Sequence, residues 1–408
     1  MIAITYRRAL SVRWVRWLIV AGTIARLSLG IVPFAILVLI VRRAGFLDAG
    51  AVSAIYLLVT ALTGPWRGRV VDRAGFRLGV AGFAVIYAWA LVGLSLIGIH
   101  GGALPLALVL VLVAAVTTPP ASSALRTCWS RLMPEDDHIR TMNAFDSVLE
   151  EATFVVAPMI SGGIVLTAGP RVALGVGAVV MLVGCILLWL VAMAAGIGSG
   201  GRAAHVPPGT RAGRTRGLLR TRSGLGIVSP IFGLGLGLGG LGLIVTAKAA
   251  EAGSIGLAGI ILGGASAGGV VGGLIFGRLR VARGLAEVYA LLGLWLAAAI
   301  AVLAAPVGLF GTGLVVVVAG LVETPLFTVA YVLVPKLLPK ERATEGNVWI
   351  GSGFNFGAGV GAVVAGAAIV TVGDLTAVVV GGVCAVCSGI SLALIRTRRG
   401  SAEPVALS

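Results

Sequence analysis

Charge is missing from long stretches of this chain. Val288 to Val322 is an uninterrupted run of 35 residues without an Asp, Glu, Lys or Arg, and only Ala305-Pro306-Val307-Gly308 supplies a break within it. Runs with few or no charges lie at about 17–41, 49–66, 78–99, 103–125, 142–168 and 172–196. A second set lies at about 224–247, 252–276, 288–305, 309–334, 346–372 and 375–395. Each run is about the length, roughly 20 residues, that a helix needs to cross a bilayer, so the pattern predicts twelve transmembrane helices. Pieces of the second set match pieces of the first at an offset of about 205 residues. Gly68-Arg69-Val70-Val71-Asp72-Arg73 aligns with Gly273-Leu274-Ile275-Phe276-Gly277-Arg278, Thr118-Pro119-Pro120 with Glu323-Thr324-Pro325, and Arg131-Leu132-Met133-Pro134 with Lys336-Leu337-Leu338-Pro339. Three matches at one offset and at equivalent span ends predict a six-plus-six duplication: a first half at 1–197, a linker at 198–223, a second half at 224–396 and a tail at 397–408. Paired halves around a central site are a transporter architecture.

Composition agrees. Of 408 residues, 58% are hydrophobic and 11% charged, where a water-soluble domain carries about 25% charged residues; the mean hydropathy is +1.08. The formal net charge of +16 raises the question of a nucleic-acid partner, but the 31 Lys and Arg form no single patch. With the N-terminus inside, 26 of them fall on inner segments and four, Arg42, Arg43, Arg171 and Lys248, on outer ones, while Arg26 sits within the first span. That bias is the signature of membrane insertion. It argues against nucleic acid and places both termini in the cytoplasm of a multi-pass plasma-membrane protein. The basic segment Arg7, Arg8, Arg13, Arg16 runs into about 25 apolar residues without a small-residue cleavage site, so it opens the first span rather than a leader. Six arginines between 198 and 223 mark a solvated linker.

Candidate chemistry is sparse. The four cysteines lie in or beside apolar runs, and Cys384-x-x-Cys387 falls inside a span, where small helix-packing residues are the expectation rather than a redox pair. His100, His138 and His205 are scattered over different loops, so no metal ligand set is expected. No phosphate-binding G-x-x-x-x-G-K-[ST] loop occurs, no cofactor is implied, and an ATP-driven pump within the chain is not expected. Glu135-Asp136-Asp137-His138 follows Pro134 on an inner loop, where acids suit a helix start.

The loop after the second span, Gly68-Arg69-Val70-Val71-Asp72-Arg73-Ala74-Gly75-Phe76-Arg77, resembles the G-x-x-x-D-R-x-G-R signature of the major facilitator superfamily. The resemblance implies an all-α fold of two six-helix halves, transport by alternating access, a monomer, and a latching role for Gly68, Asp72, Arg73, Gly75 and Arg77. The second copy has Gly277 in place of Asp72, so the latch is expected on one side only. In the fifth span, Ala157-Pro158-Met159-Ile160-Ser161-Gly162-Gly163 is similar to the G-P-x-x-G-G motif of antiporters in that superfamily, through Pro158, Gly162 and Gly163. On that ground the expectation is an efflux protein, exporting a small hydrophobic or amphipathic compound against protons. The alternatives are import of a small metabolite and, in another class, a membrane-embedded lipid-modifying enzyme, which would need the cluster at 135–138 for its chemistry. An enzyme is not the preferred expectation.

An ionisable group within hydrocarbon is costly and therefore a functional candidate. Arg26, about nine residues into the first span, and Glu150 and Glu151, ten and eleven residues past Arg140, lie at comparable depths. The resemblance brings the first and fifth spans together, so Arg26 is expected to pair with Glu150 or Glu151, with Asp146 one turn earlier on the same face. Glu323 lies thirteen residues before Lys336, roughly 20 Å from the inner surface at 1.5 Å per residue. A carboxyl at that depth can take up a proton or hold a cationic substrate, and Pro325 beside it is expected to kink its helix as Pro119 and Pro120 do in the matching span.

Overall fold

A lipid-embedded backbone finds no water to bond to, so it must satisfy its own N–H and C=O groups within helices or closed barrels. The chain takes the first solution. The computed structural model describes residues 13–97, 104–132, 136–196, 221–278, 284–338 and 343–396, and among these the regular structure is helical with no strand. Glu135, linker residues 198–220 and the tail 397–408 lie outside them. The helices are α1 Arg13–Phe76, α2 Gly82–Leu96, α3 Leu104–Thr117, α4 Ala121–Leu132, α5 Asp136–Thr167, α6 Pro170–Ala194 and α7 Arg222–Glu251. They continue as α8 Leu257–Phe276, α9 Leu285–Val302, α10 Leu309–Gly320, α11 Glu323–Leu337, α12 Ala343–Val372 and α13 Thr376–Arg396.

Eight apolar helical runs among the described residues are long enough to cross a membrane, and Leu104–Thr117 and Ala152–Thr167 are shorter apolar helices. Two of the eight, Trp14–Gly64 and Trp349–Ile395, extend over 51 and 47 residues. Neither is one straight rod. Each contains a glycine with positive φ, Gly45 at 87° and Gly373 at 58°, a backbone setting that an α-helix cannot contain and that costs glycine little. Both fall where the charge pattern separates one span from the next. Large apolar side chains such as Leu62, Trp89, Leu96 and Phe310 are mostly exposed, as expected of a surface whose solvent is hydrocarbon.

The chain divides into two compact units, Met1–Leu39 with Leu62–Ala212, and Ile40–Ala61 with Gly213–Ser408. In the first, the opening segment of α1 buries one face, where Leu18, Ala25 and Val32 are fully covered, while Trp17 and Val20 near its start are about half exposed. Glycines set its spacing. Gly22 lies against Leu125 of α4, Gly30 against Ala157 of α5, Gly177 of α6 against Val32, and Gly184 of α6 against the backbone of Ala25. Small residues let helix backbones approach closely, which in lipid replaces the hydrophobic drive to associate.

In the second unit α7 is buried along most of its length and packs chiefly on α12 and α13. The α7–α12 seam is reciprocal. A methyl on Gly235 or Gly239 would overlap the carbonyls of Phe354 or Ala358, and one on Gly357 or Gly361 would overlap those of Phe232 or Leu236. On the α13 side, Ser391 Oγ donates to the Gly226 carbonyl at 2.6 Å and Cys384 Sγ to the Gly233 carbonyl at 3.2 Å. All four cysteines are buried free thiols, and Cys384 and Cys387 act as small packing residues against Gly233.

The seam makes a direct prediction. Gly239→Ala forces a methyl into the Ala358 carbonyl and should destabilise the protein by about 1–3 kcal/mol. Gly242, one turn on, has open space around its Cα, so Gly242→Ala should be neutral or stabilise by up to about 1 kcal/mol through helix propensity. Thermal unfolding of the two variants in detergent should separate them in opposite directions from wild type.

Candidate functional site

Two apolar segments at matching places in the chain do not run through as single helices. α3 stops at Thr117 and α4 starts at Ala121, with Thr118-Pro119-Pro120 between. Neither proline has an N–H, so the carbonyls of Ala115 and Val116 lose the donors that a continuous helix would supply. Side chains gather on the neighbouring carbonyls. Thr117 and Thr118 donate their hydroxyls to those of Val113 and Ala114 at 2.6 and 2.9 Å, and Arg67, itself buried, donates Nη1 to that of Thr118. A cation at a helix C-terminus meets the negative end of the dipole.

In the second unit α10 stops at Gly320 and α11 restarts at Glu323. The sequence suggests a kink at Pro325, but Pro325 lies in the first turn of α11, where no donor is required. The interruption sits upstream because Pro325 cannot donate to Leu321, four residues earlier. The freed Leu321 carbonyl turns onto Gly272 of α8, close enough that any Cβ there would overlap it, while Gly268 meets the Val317 carbonyl and Gly320 the Ala265 carbonyl. The first interruption is therefore held by side chains, and the second by a glycine face.

A buried charge network adjoins the first interruption. Arg26 and Asp146 are 2% and 1% exposed, and the guanidinium grips both carboxylate oxygens, Nη1 to Oδ1 at 2.7 Å and Nη2 to Oδ2 at 2.8 Å. Its Nε donates to Ser122 Oγ at 3.0 Å, and Ser122 in turn donates to Glu150 Oε1 at 2.8 Å. The expected first-to-fifth-span pairing is present with a different partner: Arg26 pairs with Asp146, and Glu150 is reached through Ser122, in the first turn of α4. The bidentate fork satisfies the pair strongly enough to survive burial. Glu150 is only partly buried, unlike Arg26 and Asp146, and is linked to the guanidinium through Ser122. The side chain of Glu151 lies outside the described set.

Glu323 opens α11, partly exposed, with Oε2 3.4 Å from the position a Cβ on Gly269 would take. Its carboxylate is at the positive end of the half-helix. Of the loop signature, Gly68 is described, and the side chains of Asp72, Arg73 and Arg77 and the surroundings of Gly75 lie outside the described set. The backbone there doubles back: a Cβ on Gly79 would fall 2.6 Å from Val71 Cα, where eight residues of straight helix would span about 12 Å. The antiporter-like segment is a packing seam, with Ala157 and Pro158 against Gly30 and Ser161 Oγ donating to the Ile31 carbonyl at 2.9 Å. Gly163 has open space around its Cα. Arg67 and Ser122 were not evident as site residues from sequence. Arg67 reads there as one more inner-loop cation, and Ser122 carries no charge to mark it.

No protein-family profile and no curated protein matches the sequence. Solved structures do match the fold. The nucleoside transporter NupG superposes with a TM-score of 0.73 at 15% identity, covering 94% of this chain and 99% of the other. The peptide transporter POT gives 0.71 at 16% identity over 93% and 94%. A POT family transporter in complex with 5-aminolevulinic acid gives 0.65 at 14% identity over 93% and 96%. These are transporters of the major facilitator fold, not enzymes, and the likeness is one of fold.

The network yields a double-mutant test. Asp146→Asn or Arg26→Met leaves one charge buried without its counterpart and should cost about 3–5 kcal/mol, whereas Arg26→Met with Asp146→Leu should recover much of the loss. Thermal unfolding of the three variants in detergent measures it; equal loss in the double variant would show that the ion pair is not what couples the two positions.

Proposed function

We propose that the protein is a secondary active transporter working by alternating access, with twelve transmembrane helices in two six-helix halves, 1–197 and 224–396, and both termini in the cytoplasm. The observation that carries this is the match along more than nine-tenths of the chain to transporters of one fold, joined to helices interrupted at corresponding positions in both units. Interrupted helices at matching places are the usual mark of a transporter's working site, because freed backbone groups and helix ends become available to substrate or ion.

For direction, import of a small metabolite is the better-supported reading. The export expectation rests on the Pro158 segment, whose contacts are those of helix packing, and the fold neighbours are a nucleoside transporter and peptide transporters. Transport is coupled to protons through Glu150, with Arg26 and Asp146 fixing its surroundings and Ser122 relaying their hydrogen bond. Glu323 in the second unit serves substrate binding or coupling. The loop residues Asp72, Arg73 and Arg77 serve the gate. The partners implied are the bilayer, a small molecule and protons, without nucleic acid or cofactor, and a monomer is the working unit.

Proteoliposomes carrying the purified chain provide the test, loaded with a panel of nucleosides, di- and tripeptides, amino acids, organic cations and sugars. Wild type should show uptake driven by an imposed inward proton gradient. Glu150→Gln should abolish the gradient's effect while retaining substrate exchange at equal pH on both sides, and Glu323→Gln should impair both. Gradient-driven uptake by Glu150→Gln equal to wild type would remove Glu150 from coupling, and efflux without uptake in the same vesicles would restore export.

A further inference from the structure

The α11 face that begins at Glu323 carries aromatic residues at helical spacing. Phe327 is one turn beyond Glu323 and Tyr331 one turn beyond that, so the three share a side of the helix. The rings of Phe327 and Tyr331 stack at 6.3 Å with an interplanar angle of 20°, and Phe354 of α12 closes on Phe327 at 5.3 Å and 55°. Tyr331 is 46% exposed, and Phe327, Phe354 and Glu323 are partly exposed. A carboxyl at this depth does not face hydrocarbon, since a charged or strongly polar group there is held toward protein or a water-filled cavity. The partly exposed face that Glu323, Phe327 and Tyr331 share is thus open to an occupant and carries a carboxyl at one end.

A carboxylate at one end of a row of ring faces has a definite complement. Ring faces carry negative potential and attract cations, and the carboxylate one turn before Phe327, Glu323, has the same sign. Stacked rings with an exposed member also offer a planar surface to another ring at ordinary aromatic spacing. The carboxylate lies beside the glycine face of α8, where a Cβ on Gly269 would stand at contact distance, 3.4 Å, from Oε2.

We infer that the Glu323, Phe327, Tyr331 and Phe354 face is a recognition site for a small organic cation that joins an ammonium group to a planar ring. The ammonium sits at Glu323 and the ring lies along Phe327 and Tyr331. This rests on the transporter reading and narrows its substrate class, and it uses residues of the second unit alone.

Calorimetric titration of the purified full-length protein in lipid nanodiscs tests the site with three probes: tryptamine, its uncharged analogue indole-3-ethanol, and the non-aromatic amine 2-cyclohexylethylamine. Wild type should bind tryptamine at least about tenfold more tightly than either control, because each control lacks one of the two features. Glu323→Gln should remove the advantage of amine over alcohol, Glu323→Asp should keep part of it, and Tyr331→Leu should reduce the advantage of ring over cyclohexyl. Size-exclusion profiles matching wild type establish that each variant is folded. Equal binding of tryptamine and indole-3-ethanol by wild type, absence of tryptamine binding, or an amine preference unchanged in Glu323→Gln would overturn the inference. Binding is read apart from flux, so the two proposals fail separately: tryptamine binding without transport of any compound would leave this site standing and remove the transporter reading. Transport of neutral compounds without amine preference would do the reverse.

Discussion

Hydrocarbon offers no hydrogen bond to an exposed peptide group, and that constraint governs this chain more than any single contact does. It accounts for helical structure throughout the described residues and for the confinement of irregular backbone to places where something answers it. At the Thr118-Pro119-Pro120 interruption the answer is a pair of threonine hydroxyls and the Arg67 guanidinium. At Leu321-Val322 it is close approach to glycines of α8. The two units meet one backbone problem with different chemistry, and the difference gives them different surroundings at their interruptions. The first collects charges around its interruption; the second leaves a carboxyl and a row of rings beside its own.

Close packing follows from the same solvent. When lipid is as apolar as leucine, burial of side chains does little to bring helices together, and backbone proximity takes over. Among the described glycines, those of the α7–α12 seam lie where two helix backbones touch, in the reciprocal contacts of Gly235, Gly239, Gly357 and Gly361. On α12 the glycines serve two sides: Gly357 and Gly361 face α7, while Gly359 meets Leu58 and Gly366 meets the Phe46 backbone in the Ile40–Ala61 segment of the same unit. A helix narrowed on two faces can be gripped from both without bulk between.

Much of this was legible in the sequence, and the failures have physical causes. Runs without charge reveal spans because the cost of burying charge is large and local. Arg26 stood out for that reason. Its partner did not, because Asp146 and Glu150 are one turn apart on one face and only tertiary packing decides which reaches the guanidinium. Arg67 was visible as a charge yet assigned to a loop, since a count of charges by segment assumes that the span ends where the charge begins. Pro325 was read as a kink, although a proline without an N–H breaks the helix four residues earlier, at the carbonyl it cannot serve. The glycine seams were visible only as a number, because a glycine's partner lies on another helix.

The fork between Arg26 and Asp146 also sets a register. Both carboxylate oxygens are engaged by one guanidinium, whose Nε reaches Ser122 and through it Glu150. Segments 96 and 120 residues away along the chain thus meet on a single side chain. Sliding α4 or α5 by one turn along α1, about 5.4 Å, would break at least two of these bonds at once, so the three helices are clamped in one alignment by a group that hydrocarbon cannot replace.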